Sequence, residues 1–253
     1  MFNNTALSMN INLKENYLPG VSICISAYKT QNYIKECLDS IKTQSWFRDH
    51  DNYEILIGVD GCKETLEKIK EIKDNYSNLR IFFLEHNHGT YITSNTVIKH
   101  SKYKWILRFD SDDIMKPDMV KTLMEISERN PYVVRFMLEN FGDIKNRQKV
   151  YLSYGCCFFR HSVFDFLGGY KDWRCSGDSD FLNRAERYWK ICKTKEILFL
   201  RRIHSEGLTS CVSYGFNSPK RKEYQKFILT HSNYISDTQC RNCFIKTADF
   251  IEV

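Results

Sequence analysis

The segment DSDDIMKPD, residues 110–118, carries four aspartates directly after a run of bulky residues that ends at Phe109. Carboxylates that lie this close repel one another unless a positive charge sits between them. Hard divalent cations such as Mg²⁺ and Mn²⁺ prefer carboxylate oxygen, and they commonly take one or two protein carboxylates and leave other positions for water and phosphate. We therefore interpret Asp110, Asp112 and Asp113 as a metal or phosphate site.

A calcium loop or helix capping could also account for this aspartate cluster. The spacing excludes a calcium loop, because its sixth and twelfth positions would be Met115 and Lys121, where Gly and Glu are required. Capping stays open, since Asp112 or Asp113 could cap a helix that we predict to begin at Pro117. Capping accounts for one aspartate and not for three.

Three further segments combine polar groups that could take part in chemistry. Asp60 ends an apolar run before a glycine, so its carboxylate could bind a base or ribose, or it could form an Asp-Gly turn. Asp178 and Asp180 precede an amphipathic segment, where one could cap the helix and leave the other for acid–base catalysis. His204 follows two arginines; a lone histidine is more often structural, but basic surroundings favour a metal or phosphate nearby.

Alternating strand and helix patterns must position these groups. Short runs rich in β-branched and aromatic residues predict strands buried on both faces at 21–26, 53–59, 80–85 and 104–109. Apolar residues recur at helical spacing from Ile34 to Ile41, from Leu66 to Ile72 and, after Pro117, from Met119 to Met124. This alternation predicts an α/β fold with a mostly parallel sheet and right-handed crossovers.

The carboxyl ends of the predicted strands carry Ser26, Asp60 and Asp110. In open parallel sheets, ligands bind beyond these strand ends, at the point where strand order switches. We therefore expect the three side chains to share one edge. The second half is less regular: we predict strands near 132–138, 150–159 and 196–203 and a helix over about 179–190, and assign no element after Gly207.

Composition favours a soluble globular chain of 253 residues, with 42% hydrophobic and 27% charged residues. It contains no apolar run near 18 residues, and its first 17 residues lack the features of a secretory signal, so we expect a cytoplasmic protein without a membrane span. The ten scattered cysteines indicate reduced thiols. Cys240 and Cys243 could bind zinc only with a second pair of ligands, which His231 alone does not supply.

The net charge of +6 is concentrated in one segment. Residues 190–226 contain nine Lys or Arg against three Glu, an excess equal to that of the whole chain. Such a segment could face ligand phosphates, a membrane surface or nucleic acid, or it could be a solvated face.

The order of these segments resembles that of the family 2 glycosyltransferases, inverting enzymes with the GT-A fold that use nucleotide-diphospho-sugars. The resemblance runs from about Val21 to Thr209, through VSICISAYKTQNY, EILIGVDGC, NHGTYITSN, FDSDDIMKPDMV, YGCCFFRHSVFDFLGGYKD, SGDSDFLNRA and RRIHSEGLT. It implies a single GT-A domain over 19–209, with a Rossmann-like, mostly parallel central sheet flanked by helices. A polar leader, 1–18, would precede this domain, and a basic and aromatic extension, 210–253, would follow it.

The resemblance also implies roles for individual residues. Asp178 matches the catalytic aspartate. Metal binding falls on Asp112, with Asp110 or Asp113 and His204. Donor contacts fall on Ser26, Tyr28, Asp60, Asn95, Asp110, Ser111 and Asp112. The chain departs from the family pattern at Ser94, where an arginine is frequent, and at Gly177, where a glutamate is usual.

The implied activity is non-processive transfer of one sugar to an acceptor hydroxyl, since the Q-x-x-R-W signature of processive synthases is absent. The implied cofactor is Mn²⁺ or Mg²⁺, and the implied partners are a UDP-, GDP- or dTDP-linked donor and a glycan, lipid-linked or protein acceptor. Nucleic acid is not expected, and the basic C-terminal segment could contact a membrane peripherally. The alternatives are a non-catalytic nucleotide-sugar-binding protein of the same fold and a nucleotidyltransferase, for which ISAYKTQNY lacks the glycine-rich phosphate loop.

Overall fold

The apolar runs of the first half form the centre of one sheet in the computed structural model, which describes residues 11, 13–143, 149–232 and 245–253. Most of the predicted leader lies outside these residues, as do Cys240, Cys243 and the side chain of His231. In chain order the elements are β1 Leu18–Ala27, α1 Ile34–Lys42, β2 Tyr53–Asp60, α2 Lys63–Ile72, β3 Leu79–Leu84, α3 Thr90–Lys99, β4 Tyr103–Asp110, β5 Ile114–Met115, α4 Met119–Ser127, β6 Val133–Gly142, β7 Val150–Leu152, β8 Cys157–Arg160, α5 His161–Leu167, α6 Gly177–Glu186, β9 Cys192–Ile203, α7 Pro219–Ser232 and β10 Ile251–Glu252.

The sheet has the strand order β10-β3-β2-β1-β4-β8-β6-β9-β5, with β7 paired to β6. Strands β3, β2, β1 and β4 are parallel neighbours, and so are β6 and β9, while β10, β8, β7 and β5 pair antiparallel. The predicted α/β fold with a mostly parallel central sheet flanked by helices is confirmed.

Successive side chains of the central strands point to opposite faces of the sheet and pack into two apolar layers. Ile23 and Ile25 of β1 face the layer built with α1, α2 and α4, whereas Cys24 faces the layer built with α3, α5 and α6. These strand residues are at most 1% exposed, and complete burial of such an aliphatic side chain stabilises the fold by about 1.5–3 kcal/mol. Burial on both faces explains why the strands read as continuous apolar runs.

Helices α3 and α5 were not predicted. Thr93, Ser94 and Asn95 of α3 are each at most 2% exposed, so this helix is buried without the apolar stripe of an amphipathic helix. The predicted strand at 150–159 is two strands, β7 and β8, separated by a turn at 153–156. Elements α7 and β10 lie after Gly207, where the residue pattern predicted no element. No helix among the described residues is both long enough and apolar enough to cross a bilayer.

Candidate active site

The carboxyl ends of β1, β2 and β4 open into a cleft with a volume of about 1080 Å³. Loops around 87–91, 153–156, 174–179 and 204–216 complete its walls, together with one face of α7. Most of the predicted site residues line this cleft: Ser26, Tyr28, Asp60, Asp110, Ser111, Asp112, Asp113, Asp178 and His204. The topology therefore brings together groups as distant in the chain as Ser26 and His204.

Arg108 is a cleft residue that the sequence reasoning missed. Its Nη1 lies 2.6 Å from Asp110 Oδ1, and its Nη2 donates to Thr90 Oγ1, which is 2.6 Å from Ser26 Oγ. Burial opposes the charge of Arg108, but the Asp110 carboxylate raises the pKa of the guanidinium above its ordinary value. The available signal was an arginine inside an apolar strand, two positions before Asp110, because strand residues at i and i+2 share a face.

Asp113 is the most enclosed carboxylate of the aspartate cluster. It is 2% exposed, and its Oδ1 accepts the backbone N–H of Arg202 at 2.9 Å. Burial first, and then the negative charges of Asp112 and Asp110, raise the pKa of Asp113 well above its ordinary value. The Cys156 thiol lies 3.8 Å from Asp110 Oδ2 and 3.9 Å from Asp113 Oδ2. Burial also raises the pKa of this thiol, so it stays protonated at neutral pH.

Asp112 and His204 form a second group of possible metal ligands. His204 Nε2 lies 2.8 Å from Asp112 Oδ2, and both side chains remain partly open to the cleft. The imidazole packs against Tyr33, with ring centroids 4.7 Å apart. Among the described residues, Nδ1 of His204 is buried without a hydrogen-bond partner.

The two groups differ in how well they suit a divalent cation. Asp110, Asp113 and Cys156 have ligand atoms within 4.8 Å of one another. A buried, protonated thiol is nevertheless a poor ligand for a hard ion. The carboxylate of Asp112 and the imidazole of His204, with Asp110 beside them, match the oxygen and nitrogen ligands of Mn²⁺ better.

Helix capping does not account for the aspartate cluster, and that hypothesis is wrong. Helix α4 begins at Met119, and its N-cap residue is Asp118, which makes no side-chain capping bond. Pro117 consequently precedes the helix and is not its first residue. Neither Asp112 nor Asp113 is at the helix terminus.

Asp60 lies in the Asp-Gly turn that was one of the two roles considered for it, and its contact with a base or ribose stays a prediction. Its carboxylate accepts the backbone N–H groups of His88 at 2.7 Å and Gly89 at 2.9 Å, and so joins β2 to the loop before α3. Gly61 has a φ of 70°, and a Cβ there would lie 2.6 Å from the Asn87 nitrogen, so the Asp-Gly turn is also present. Burial raises the pKa of Asp60 although these hydrogen bonds oppose the shift.

Asp178 lies in the first turn of α6 and lines the same cleft as Asp110 of β4. Its Oδ1 accepts the N–H of Ser179 at 2.8 Å and is 3.3 Å from the hydroxyl of Tyr91. Its Oδ2 and the Oδ2 of Asp110 both lie within 3.6 Å of the point that a Cβ on Gly155 would occupy. The two carboxylates therefore converge on the same side of Gly155, where Arg108 Nη1 also lies, 3.3 Å from that point.

Neither Asp178 nor Asp180 caps α6, contrary to the expectation that one of them would. The N-cap residue is Ser176, in a left-handed conformation with φ of 62°. Asp180 instead accepts two hydrogen bonds from the fully buried Arg184, which also donates to the carbonyls of Leu167 and Gly169. Asp180 and Arg184 thus hold α6 against α5.

Asn95 does not lie in the cleft, and its predicted contact with a donor is wrong. It is fully buried, its amide nitrogen donates to the carbonyls of Tyr170 and Lys246, and its oxygen accepts the N–H of Tyr170. These hydrogen bonds to the backbone occupy both the nitrogen and the oxygen of the side-chain amide. Asn95 therefore ties α3 to the segments around 170 and 246.

The nearby ring of Tyr91 explains why residue 177 is a glycine. A Cβ on Gly177 would lie 2.8 Å from ring atoms of Tyr91, which is closer than carbon atoms can approach. The Tyr91 hydroxyl reaches Asp178, so the absence of a side chain at 177 leaves room for a neighbour of the candidate base. Ser94, the other residue that departs from the pattern named in the sequence analysis, is buried in α3 and is not among the residues that line the cleft.

Comparison with known proteins gives this fold and cleft a family. The family model described as "Glycosyl transferase family 2" matches residues 22–213. An uncharacterized glycosyltransferase of Rickettsia felis is 28% identical over 144 residues, which cover 57% of this chain and 23% of the relative. The hyaluronan synthase of Pasteurella multocida is 35% identical over 111 residues, which cover 44% of this chain and 11% of the synthase. The chain thus spans less than a quarter of the length of these two relatives.

Solved structures share the fold at low sequence identity. S. aureus TarS 1-349 in complex with UDP-GlcNAc superposes with a TM-score of 0.67 at 18% identity, over 83% of this chain and 66% of that chain. The mannosyltransferase PcManGT from Pyrobaculum calidifontis, in complex with GDP-Man and Mn²⁺, gives a TM-score of 0.61 at 13% identity, over 78% of this chain and 61% of that chain. The predicted GT-A fold is confirmed by these superpositions.

Proposed function

The chain belongs to glycosyl transferase family 2, and from that premise we propose that it moves one sugar from a nucleotide-diphospho-sugar to an acceptor hydroxyl with inversion at the anomeric carbon. The observation that carries the proposal is the position of Asp178. Its Oδ2 and that of Asp110 converge within 3.6 Å of one point beside Gly155, inside the cleft at the carboxyl edge of the sheet. A single displacement requires a base and a diphosphate site that reach the same sugar, and this cleft offers a carboxylate for each.

The donor occupies the side of the cleft formed by β1, β2 and β4. Ser26, Tyr28, Asp60, Asp110, Ser111 and Asp112 line that side and are its proposed contacts. Arg108 joins this set, because it holds Asp110 and, through Thr90, the hydroxyl of Ser26 in one hydrogen-bonded chain. The complexes of similar proteins with UDP-GlcNAc and GDP-Man support a nucleotide-sugar as the donor class.

A divalent cation, Mn²⁺ or Mg²⁺, fits the same side of the cleft. Asp112 and His204 would hold it, with Asp110 or Asp113 as a further carboxylate ligand. Two observations support this fit. The buried His204 Nδ1 has no hydrogen-bond partner among the described residues. Burial, and then the negative charges of Asp112 and Asp110, raise the pKa of Asp113, so a nearby cation would favour its charged form. When bound, such an ion offsets the negative charge that develops on the leaving diphosphate.

Asp178 is the proposed general base. The acceptor hydroxyl attacks the anomeric carbon and gives its proton to Asp178 as the bond to the diphosphate breaks. The contacts of Oδ1 with Ser179 and Tyr91 orient the carboxylate, so that Oδ2 lies beside Gly155. Attack from the side opposite the leaving group inverts the configuration of the transferred sugar.

The test replaces the base and keeps its shape. We expect Asp178→Asn to lower sugar transfer by more than about 1,000-fold while the dissociation constant of the donor changes by less than about threefold, because the amide cannot accept the proton but occupies the same volume. Donor binding is measured by calorimetry with Mn²⁺ and a panel of UDP-, GDP- and dTDP-sugars, and transfer by release of the nucleoside diphosphate.

Asp172→Asn is the matched control, because Asp172 is an exposed carboxylate outside the cleft that pairs with Lys246. It should leave both quantities unchanged. Transfer by the Asp178 variant at near wild-type rate would contradict the assignment of the base. A wild-type chain that binds a donor but releases no nucleoside diphosphate would instead favour the non-catalytic binding protein.

A further inference from the structure

Tyr154 is an exposed aromatic residue of the cleft. It lies in the turn between β7 and β8, is 48% exposed, and lines the cleft. The next residue, Gly155, is the point around which Asp178 and Asp110 converge. Tyr154 therefore directly precedes, in the chain, the glycine beside which the proposed transfer occurs.

A buried arginine supports this ring from below. The guanidinium carbon of Arg135 lies 3.8 Å from the centre of the Tyr154 ring, and Arg135 is only 4% exposed. Its Nε donates to the carbonyl of Ser153, and its Nη2 is buried without a hydrogen-bond partner among the described residues. A guanidinium at this distance attracts the face of the ring electrostatically and fixes its plane.

The turn that carries Tyr154 is itself braced. The backbone N–H of Ser153 donates to the carbonyl of Phe136, and its hydroxyl donates to the carbonyl of Cys156. Both residues that flank the Tyr154–Gly155 pair are thus fixed. With Arg135 against one face of the ring, an exposed and rigid aromatic surface remains available to a ligand in the cleft.

The chemistry of this surface suits a sugar ring. A pyranose presents C–H groups on one face and hydroxyls around its rim, and the C–H groups carry partial positive charge that the negative face of an aromatic ring attracts. Polar side chains that could bind the rim hydroxyls line the same cleft, among them Ser179, Asn183 and Gln225. Two further rings that line the cleft, Tyr151 and Phe216, also have a guanidinium near their faces, in each case that of Arg201, at 5.7 and 5.6 Å from the ring centre.

We propose that Tyr154 is the acceptor platform and that the acceptor is a carbohydrate whose terminal pyranose stacks on its ring, with a hydroxyl directed at Asp178. This inference rests on the proposed function for the role of Asp178. The stacking itself is a binding property and does not depend on turnover. A preformed aromatic surface also limits the ordering cost of binding, since the ring is already held in place.

The experiment measures binding of simple glycosides by saturation-transfer NMR. The probes are the methyl β-glycosides of glucose, galactose and N-acetylglucosamine, and the proteins are wild type, Tyr154→Ala, Tyr154→Phe and Asp178→Asn. For at least one probe we expect strong saturation of the C–H groups on one ring face in wild type. Tyr154→Phe should bind within about twofold, and Tyr154→Ala about tenfold more weakly, because only the alanine variant loses the ring.

Phe227→Ala is the matched control. Phe227 is similarly exposed, at 45%, but packs on Trp173 outside the cleft, so its loss should not change glycoside binding. Thermal unfolding of each variant shows that the fold is intact; Tyr154→Leu, which keeps an apolar side chain of intermediate size, replaces the alanine variant if that one unfolds early.

Two results would overturn the inference. One is that no probe binds in a manner that depends on the ring of Tyr154. The other is that farnesyl phosphate, a probe for a lipid-linked acceptor without a sugar, binds through Tyr154 while every glycoside fails to bind. Glycoside binding that depends on the Tyr154 ring, in a wild-type chain that transfers no sugar, would leave the platform standing and reject only the proposed function.

Discussion

Two arginine–aspartate pairs, one in the cleft and one between helices, have similar chemistry and different surroundings. Arg108 and Asp110 of β4 pair at 2.6 Å, with side chains that are 5% and 35% exposed. Arg184 and Asp180 of α6 pair at 2.8 Å, with side chains that are 0% and 3% exposed. The cleft pair leaves its carboxylate accessible to a ligand, whereas the helix pair is closed on both sides.

The difference in exposure shows that one pair can stabilise the fold while the other keeps a carboxylate available for binding. A closed pair needs its partner, because removal of one member leaves an uncompensated charge in the interior. An open pair can be rescued by water or a ligand, so its carboxylate is free to take part in binding. The same residue types thus stabilise the scaffold in one region and build a site in the other.

The largest effect should come from the closed pair. We expect Arg184→Met to lower the free energy of unfolding by about 3–5 kcal/mol, because Asp180 and two backbone carbonyls lose their donor in the interior. Urea denaturation measures the change. Lys35→Met, which breaks the exposed pair with Asp39, is the control and should cost no more than about 1 kcal/mol. Equal losses in the two variants would contradict the comparison.

A buried histidine at the opposite edge of the sheet extends the comparison to pH. Burial lowers the pKa of His161 from 6.5 to about 4, with Asp165 opposing the shift and Lys99 adding to it. The unfolded chain therefore binds a proton that the folded chain does not, and stability present above pH 6.5 is lost as pH falls toward 4. The loss should reach about 3 kcal/mol over this interval.

His161→Phe should remove this pH dependence while it keeps a ring against Tyr17 and Phe164. Urea midpoints at several pH values between about 4 and 7 measure the effect. His50→Phe serves as a control, because His50 is exposed and stacks on Trp46. If the wild type and the His161 variant lost stability in parallel on acidification, His161 would not be the cause.

Removal of the arginine of the open pair should lower stability less, and activity more, than removal of the arginine of the closed pair. We expect Arg108→Met to lower the free energy of unfolding by about 1–2 kcal/mol, since Asp110 is one-third exposed and water can solvate it. Sugar transfer should fall by about 10- to 100-fold, because Asp110 and Thr90 lose their common donor. A variant that loses stability as Arg184→Met does, but keeps its activity, would place Arg108 in the scaffold.

The smallest effect concerns Asp113, whose pKa is raised by burial and by its neighbours. A raised carboxyl pKa favours folding at low pH, and this contribution is lost as pH rises, so Asp113→Asn should be more stable than wild type at about pH 7. We expect about 1 kcal/mol, disappearing below about pH 4, where the carboxyl is protonated in both states. Unfolding in the presence of a chelator measures it; a less stable variant at neutral pH would contradict the direction.

Periodicity predicted the first half of the fold well and the second half poorly. Strands β1 to β4 and helices α1 and α2 have regular apolar patterns because each packs against the sheet or forms its buried centre. Helix α3 was missed because its buried residues include Thr93, Ser94 and Asn95, whose side chains interrupt the apolar pattern; Thr93 bonds to local backbone and Asn95 to distant backbone. Asn95 was misassigned for the same reason, since a buried amide and a ligand contact look alike in sequence.

The sequence by itself determined which groups can do the chemistry: crowded carboxylates after a buried strand, a further aspartate at a helix start and a histidine after β9. Their types and order along the chain were sufficient for that. Only the tertiary structure decided which carboxylates are open and which are closed, that Arg108 lies against Asp110, and that Tyr154 rests on Arg135 beside Gly155. Burial and charge pairing depend on neighbours that are distant in the chain, and these neighbours set what each group can do.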